Sequence, residues 1–275
     1  LVMSIFIIRI ANSAFHPLGA AMAGEKSGRV VAFFSISGTL GAAFGPVFVS
    51  LYVSRFNLSA LWIVSLPAIV LAILLLRVNL PERTVQRNKF QLKEALVLLP
   101  ILFVVSVRSF AMSVVHAYTP LFVTNVRGYD LTVSGALITS GMIAGVVANY
   151  IGVILMERIG AKKQDLVAFI GMGLSIFLLL SSKNLPSIFA SFVLFDFCGF
   201  LLMSANVVQA QKILPNRKAL ASSVAMGFAW SIGDFIATGY NSIFGNNIVL
   251  SLSLVVPVTL LAAIYFGIIQ KFDTK

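Results

Sequence analysis

Long apolar stretches alternate with short polar connections along the whole chain. A helix needs about 20 mostly apolar residues to cross a membrane, and the sequence supplies stretches of this length repeatedly. The pattern predicts nine membrane-spanning helices, at about residues 1–22, 29–53, 58–77, 95–118, 132–156, 165–182, 187–210, 219–242 and 248–270. We therefore expect an all-α polytopic membrane protein.

The composition supports a membrane protein and excludes several other classes. Of the 275 residues, 59% are hydrophobic and 11% are charged, whereas soluble domains carry about 25% charged residues. The net charge of +11 does not indicate nucleic-acid binding, because the sequence contains no soluble fold with a basic face. The single cysteine, Cys198, excludes an intrachain disulfide.

The sequence contains no pattern that indicates an enzyme. We find no metal-ligand spacing, no nucleophile with a base and no phosphate-binding loop. The expectation is a protein without catalytic residues, cofactor or metal.

One long polar and basic connection divides the chain. We predict that residues 1–77 hold three spans of an N-terminal helical half, that residues 78–94 form a cytoplasmic linker, and that residues 95–275 form a C-terminal half of six helices.

The basic residues predict the orientation. Of the 20 lysines and arginines, 15 fall in one alternating set of connections, and such residues are retained on the cytoplasmic side. The C-terminus is therefore expected in the cytoplasm, which would place Leu1 outside. Three further helices before Leu1 would remove this conflict and make six spans on each side of the linker. The alternative is a natural nine-span protein.

A weak internal repeat supports two related halves. Residues 27–52 align without gaps on residues 215–240, with Arg29 over Arg217 and Gly45 over Gly233. Two parallel halves related by an axis along the membrane normal are a known transporter arrangement.

Several short motifs resemble those of the major facilitator superfamily. They are "RIANSA" (9–14), "GAAFGP" (41–46) and "ERIGAKK" (157–163). Three others, "SAFHP" (13–17), "VRSFAMSVVHAYTPLFV" (107–123) and "VVQAQKILPNR" (207–217), resemble the fosmidomycin-resistance subgroup of efflux proteins. The resemblance implies the superfamily fold, with the chain equivalent to helices four to twelve of twelve.

The resemblance also implies a function. It is the proton-driven export of small molecules by alternating access of two halves around a central cavity. A proton symporter that imports a metabolite is the alternative, since the same fold does both. The expected partners are the lipid bilayer, a small-molecule substrate and protons, and we expect a monomer in the inner (plasma) membrane.

The first helix carries a polar stripe within its apolar surface. At 100° per residue, Arg9, Asn12, Ser13 and His16 lie within about 100° of one another. An arginine near mid-bilayer costs at least about 3 kcal/mol, so the stripe must face a wet cavity or a buried partner. Arg9 either takes part in substrate or proton coupling or is a structural arginine bonded to carbonyls or to an acid.

His16 titrates near neutral pH, and Pro17 beside it should bend the helix. The bend could aim His16 into the cavity. Alternatively, His16 is packed and neutral, and the Phe-His-Pro unit at 15–17 only shapes the end of the helix.

The C-terminal half contains further charges within its spans. Arg108 and Asp196 are expected about 20 Å and about 14 Å from opposite faces, at nearly the same depth of a core of about 30 Å. We therefore expect a buried Arg108–Asp196 pair, either structural or switching. Asp234 is either a hydrogen-bonded packing residue, which we favour, or a protonation site. His116 is expected as a solvated histidine near the outer mouth.

The remaining candidates concern helix packing and the cytoplasmic side. Gly41 and Gly45, followed by Pro46, and Gly141 and Gly145 have the four-residue spacing that allows close helix contact. The charged cluster of the 157–163 turn is either a cytoplasmic gate or plain positive-inside charge. Its members are Glu157, Arg158, Lys162 and Lys163.

Overall fold

The structure is a computed structural model that describes residues 2–77 and 96–269. Every regular element within these ranges is helical. The α-helices are α1 (Val2–Lys26), α2 (Gly28–Phe56), α3 (Leu66–Leu75), α4 (Leu99–Leu121), α5 (Leu131–Ile159), α6 (Ala161–Ser181), α7 (Leu185–Ile213), α8 (Lys218–Ser222), α9 (Ala229–Phe244), α10 (Ile248–Ser253) and α11 (Val255–Ile264). Short 3-10 helices cover Leu58–Ser65 and Pro215–Arg217, and π-helical turns cover Phe122–Val126, Ser223–Phe228 and Tyr265–Ile269.

Seven helical segments of the described residues are long and apolar enough to cross a membrane. They are Gly28–Gly45, Leu99–Val126, Thr132–Ile159, Ala161–Ser181, Leu185–Ile213, Pro215–Phe244 and Ile248–Gly267. Each falls on a predicted span, so the all-α membrane architecture is confirmed. The other two predicted spans are helical as well. Helix α1 covers the span at 1–22, and the span at 58–77 is a 3-10 helix followed by α3. The apolar stretch of the latter, Trp62–Leu75, is shorter than a full span.

The chain forms two compact units. The larger comprises Leu1–Leu40 with Leu92–Lys275, and the smaller comprises Gly41–Gln91. Within the smaller unit, the Tyr52 hydroxyl donates to the Ala60 carbonyl at 3.2 Å and ties the end of α2 to the 3-10 helix. The predicted linker, residues 78–94, lies outside the described residues, so the predicted division into halves stays a prediction.

Helix α7 is the centre of the larger unit. Its sequence is mostly apolar and most of its side chains are buried, which is typical of a helix inside a bundle. It packs against α5 and α6 and contributes fully buried side chains such as Phe192, Phe195 and Leu202.

The outer surface of the larger unit is also apolar. Helix α6 exposes Val167, Ile170, Leu174 and Phe177, which recur with the helical period along one face. In water such a face would be unfavourable, whereas lipid tails cover it at no cost. The exposed face of α6 is therefore a lipid-facing surface.

Small residues let α5 approach α7 closely. Gly141 lies against Asp196 and Phe192, and Gly145 lies against the Phe200 ring. Gly152 lies against the backbone carbonyl of Leu201, where no Cβ would fit. Three glycines on one helix therefore set the distance between α5 and α7.

A glutamine at the start of α6 fastens the tightest point of this contact. The Gln164 side-chain amide is buried and donates to the carbonyls of both Gly152 and Leu201, each at 2.8 Å. Because a buried amide without partners is costly, these bonds hold α5, α6 and α7 in one arrangement.

The glycine pair of α2, Gly41 and Gly45, differs from the expectation of a close helix contact. A Cβ at Gly41 or Gly45 would meet no described atom within 4 Å, so the expected close helix contact is not formed there among the described residues. Spacing alone allows a close approach but does not supply a partner helix. The Pro46 side chain is outside the described part of the structure.

Candidate functional site

Three polar side chains form a stripe along α4 of the larger unit. Ser109, Ser113 and His116 follow one another by four and three residues, so they lie on one face of the helix. We call this set the α4 polar stripe. The Asp234 carboxylate of α9 accepts hydrogen bonds from the hydroxyls of Ser109 at 3.1 Å and Ser113 at 2.5 Å.

The stripe ends at an acid–histidine pair. His116 Nε2 lies 2.6 Å from Oδ1 of Asp196 on α7. The Asp196 side chain is 0% exposed and that of His116 is 28% exposed. The second carboxylate oxygen, Oδ2, is buried without a hydrogen-bond partner among the described residues and lies against Gly141. The expectation of a solvated His116 is therefore corrected: the ring is partly buried and engages a buried carboxylate.

Arg108 lies beside the stripe but does not bond to Asp196 directly. Its side chain is buried, and Nε donates to the Gly199 carbonyl at 2.7 Å. The guanidinium carbon lies 5.9 Å from the Phe200 ring centroid and 5.5 Å from that of Trp230, within the range of cation–π attraction.

The expected Arg108–Asp196 ion pair is thus corrected. Among the described residues no contact within 4.0 Å joins the two charges. The Asp196 carboxylate contacts His116 instead, and the Arg108 guanidinium donates to the Gly199 carbonyl. The guanidinium is nevertheless close enough to interact electrostatically with Asp196 and Asp234. Arg108 is therefore the common counter-charge of two acids on two helices.

Asp234 is anchored and accessible at the same time. Its helix, α9, is held against α4 by Ser106, whose hydroxyl donates to the Ala229 carbonyl at 3.0 Å. At Gly233 a Cβ would collide with the backbone of α4. The Asp234 residue itself is exposed. Its hydrogen bonds agree with a packing role.

The candidates on α1 are placed less completely. Arg9 and Asn12 lie in α1, and their side chains are outside the described part of the structure. His16 is half-buried, with ring centroids 5.6 Å from Phe15 and 6.0 Å from Phe34. Pro17 is buried in the same uninterrupted helix. The described contacts of the His16 ring are aromatic ones.

The turn between α5 and α6 carries the gate candidates. Gly160 has a φ of 81° there, a conformation that glycine adopts without strain. Oε2 of Glu157 lies 3.8 Å from Nη2 of Arg29, at the start of α2. Arg158 and Lys163 are exposed, and Lys162 is half-buried. The Arg29–Glu157 contact, a weak and largely exposed ion pair, therefore joins this turn to α2.

Two residues that the sequence reasoning missed make stronger contacts at the same end. Gln211 of α7 is buried, and its side-chain amide donates to the Ala20 carbonyl of α1 at 2.9 Å and to the Ser222 hydroxyl at 2.8 Å. Lys218 Nζ donates to the Gly24 carbonyl at 2.8 Å. The last carbonyls of a helix lack partners within the helix, so Lys218 caps α1.

A cleft and a cluster of buried apolar side chains lie next to these contacts. The cleft has a volume of about 320 Å³ and is lined by Gly24, Gly28, Val208, Gln211, Lys212, Pro215 and Lys218. Beside it, Ala20, Val31, Ala210 and Ala225 belong to one buried apolar cluster. The C-terminal end of α1 is therefore packed against α7 and α8. Gln211 lies within the motif "VVQAQKILPNR" (207–217), and Lys218 follows it directly. The motif indicates the family but does not by itself indicate these contacts.

Comparison with known proteins gives two findings. The sequence model of a family described as Major Facilitator Superfamily matches residues 1–238. The chain is also 23% identical over 248 residues to a protein of Escherichia coli (strain K12) named fosmidomycin resistance protein. That alignment covers 82% of this chain and 60% of the relative.

Proposed function

Because the chain belongs to the Major Facilitator Superfamily, we propose that it works as a secondary active transporter that exports small organic molecules in exchange for protons. Members of this family are transporters rather than enzymes, and the protein is an integral membrane protein with a small-molecule substrate. The observation that carries the proton coupling is the contact between the buried carboxylate of Asp196 and the partly exposed ring of His116.

The cost of burying charge supports this proposal. Ionisable side chains within membrane spans are expensive and as a rule line a substrate or proton pathway. Here Arg108, His116, Asp196 and Asp234 are gathered around one stretch of α4. Packing alone would be served by apolar side chains of similar volume at lower cost.

The contacts of α1 support alternating access. Gln211, Lys218 and the Arg29–Glu157 pair join α1 and α2 to the C-terminal helices at the end that the basic residues predict to be cytoplasmic. We assign these contacts to a closed cytoplasmic gate. The hydrogen bonds of Gln211 and Lys218 and the weak Arg29–Glu157 ion pair can be broken when the protein takes up substrate from the cytoplasm.

The direction of transport rests on two supports. The relative with 23% identity is named for resistance to fosmidomycin, and resistance to a compound agrees with its removal from the cell. The segment "GAAFGP" resembles the antiporter motif of the superfamily. Export by proton antiport is therefore the proposed function, and proton-coupled uptake is the alternative that the experiment below distinguishes.

The proposal includes the cellular arrangement. We place the protein in the inner membrane as a monomer, with the C-terminus in the cytoplasm. Residues 1–77 belong to one helical half and residues 95–275 to the other, joined by the linker at 78–94. The substrate and proton pathway lies between them and includes Arg9, Asn12 and His16 of α1.

Transport by reconstituted protein tests this function. The protein, expressed from its complete reading frame, is placed in liposomes, and the uptake of radiolabelled fosmidomycin is measured under imposed pH gradients. An antiporter in either orientation concentrates the compound in an acidic lumen, and a protonophore abolishes this accumulation. Accumulation in an alkaline lumen would establish uptake symport, and flux that no gradient alters would refute proton coupling.

A panel of other small compounds is run in the same liposomes. If fosmidomycin is not moved while another compound accumulates in an acidic lumen, proton-coupled export stands and fosmidomycin is rejected as the substrate. If no compound responds to either gradient, the proposed function is wrong.

A further inference from the structure

We propose that His116 is the group that carries the transported proton, with Asp196 as its fixed counter-charge and Arg108 as the charge that replaces the proton when it leaves. This inference rests on the proposed function and names the site of proton coupling within it. It places that site in the C-terminal half of the chain, on α4 and α7.

The geometry gives the two ring nitrogens different roles. Nε2 faces Asp196 Oδ1 at 2.6 Å, so this nitrogen stays bonded to the carboxylate. Nδ1 has no hydrogen-bond partner among the described residues, and the side chain is 28% exposed. Because only Nδ1 is free, the proton is gained and lost at this nitrogen, while the Nε2 contact keeps the ring in place.

The carboxylate is built to remain in position. Asp196 is fully buried, and its Oδ2 lies against Gly141, where even a methyl group would collide with it. The Phe192 ring lies 5.5 Å from the His116 ring, centroid to centroid. The carboxylate and the imidazole therefore have little room to separate, and a change of charge is the simplest response of the pair to pH.

The Asp196 carboxylate keeps a positive side chain nearby in both states, while the net charge of His116, Arg108, Asp196 and Asp234 falls from zero to −1 when His116 loses its proton. With His116 protonated, the imidazolium and the Asp196 carboxylate neutralise each other, and Arg108 is left with Asp234. With His116 neutral, the Arg108 guanidinium is the positive charge that acts on Asp196. Neither state leaves the buried carboxylate without an opposite charge, which would be strongly unfavourable inside a membrane.

Other ionisable groups near the pair are few among the described residues. The charged ones are Arg108 on α4, Asp196 on α7 and Asp234 on α9. Two tyrosines, Tyr118 of α4 and Tyr240 of α9, belong to the same core. Of the residue types in this set, histidine is the one that most often serves proteins as a proton donor and acceptor.

Nuclear magnetic resonance of labelled histidine tests this assignment without a substrate. This sequence contains two histidines, His16 and His116, and the His16→Gln variant assigns the two signals. We expect the His116 ring to gain and lose a proton when the pH of the sample is changed, and the Asp196→Asn variant to alter this exchange. A His116 ring that stays in one protonation state in the wild-type protein at every pH at which the protein stays folded would overturn the inference.

Transport by variants separates this inference from the proposed function. In liposomes, His116→Gln and Asp196→Asn should lose all accumulation driven by a pH gradient but retain exchange of labelled for unlabelled substrate at equal pH. Asp165→Asn is the matched control for Asp196→Asn, because Asp165 is a buried acid of α6 that belongs to a different part of the helix bundle. It should retain gradient-driven accumulation.

The outcomes are distinct. Wild-type protein without any gradient-driven flux would contradict the proposed function itself. Wild-type flux driven by the gradient, together with undiminished gradient-driven flux in His116→Gln, would leave the function standing and refute this inference. A variant that loses exchange as well is compared by thermal unfolding, and a folded His116→Gln protein without exchange would show that His116 binds substrate instead.

Discussion

Replacing Arg108 with methionine is expected to lower the free energy of unfolding by about 3–5 kcal/mol, the range found when one partner of a buried ionic group is removed. The methionine keeps most of the apolar volume but leaves Asp196 and Asp234 without their common counter-charge. The hydrogen bond to the Gly199 carbonyl and the stacking on Phe200 and Trp230 are lost as well. Thermal unfolding of the purified protein in mild detergent measures the effect.

Arg127→Met is the control for this substitution. Arg127 also donates to a backbone carbonyl, that of Leu180 at 2.7 Å, and its guanidinium lies 4.8 Å from the Phe122 ring centroid. It is only half-buried, so its loss should cost about 1 kcal/mol. The Arg108→Met/Asp196→Asn double variant should lose less free energy of unfolding than the sum of the losses in the two single variants. Equal losses for both arginines, or strict additivity in the double variant, would show that Arg108 is not the counter-charge.

Of the substitutions that add one methyl group to the bundle, Gly152→Ala is expected to lower the stability most. A Cβ at this position collides with the backbone carbonyl of Leu201 on α7, and a backbone cannot move aside as a flexible side chain can. The helices must separate, which also strains the two hydrogen bonds from Gln164. We expect a loss of about 3 kcal/mol, at the upper end of typical overpacking costs, measured by thermal unfolding.

Gly135→Ala, on the same helix, provides the comparison. Position 135 is exposed, and a Cβ there meets no described atom within 4 Å. Alanine favours the helix over glycine by about 0.5–1 kcal/mol, so this variant should be as stable as the parent or slightly more stable. If both glycine variants unfold at the same temperature, the contact between α5 and α7 is looser than the structure shows.

The fold was largely predictable because a membrane span has a simple requirement. A stretch of about 20 apolar residues is readable in the sequence alone, and each of the seven candidate spans falls on such a stretch. The segment at 58–77 was harder, because its composition is apolar while its first part forms a 3-10 helix. Hydropathy reports where a chain can be buried and not which hydrogen-bond pattern it adopts.

The glycine contacts were only half predictable. Spacing identified Gly141 and Gly145, which the structure places against α7, and also Gly41 and Gly45, which face open space among the described residues. The tightest approach, at Gly152, follows Gly145 by seven residues and so lies on the same face. Extending the search from four-residue to seven-residue spacing would have found it.

The partners of the buried charges could not be read from depth. Counting residues inward placed Arg108 and Asp196 at the same level, and they do interact electrostatically. Such a count does not include the rotation of each helix about its own axis. That rotation places His116, and not Arg108, against the Asp196 carboxylate. The spacing of Ser109, Ser113 and His116 is the signal that was available, since it marks a polar face on an apolar helix.

Proton movement driven by substrate tests the central claim most directly. Liposomes containing the complete protein and a pH-sensitive dye are loaded with fosmidomycin, or with the compound that the panel identifies, and diluted into substrate-free buffer of equal pH. Antiport predicts that the lumen acidifies as the substrate leaves, and that His116→Gln abolishes this acidification. Substrate that leaves while the pH of the lumen stays constant or rises would contradict the account.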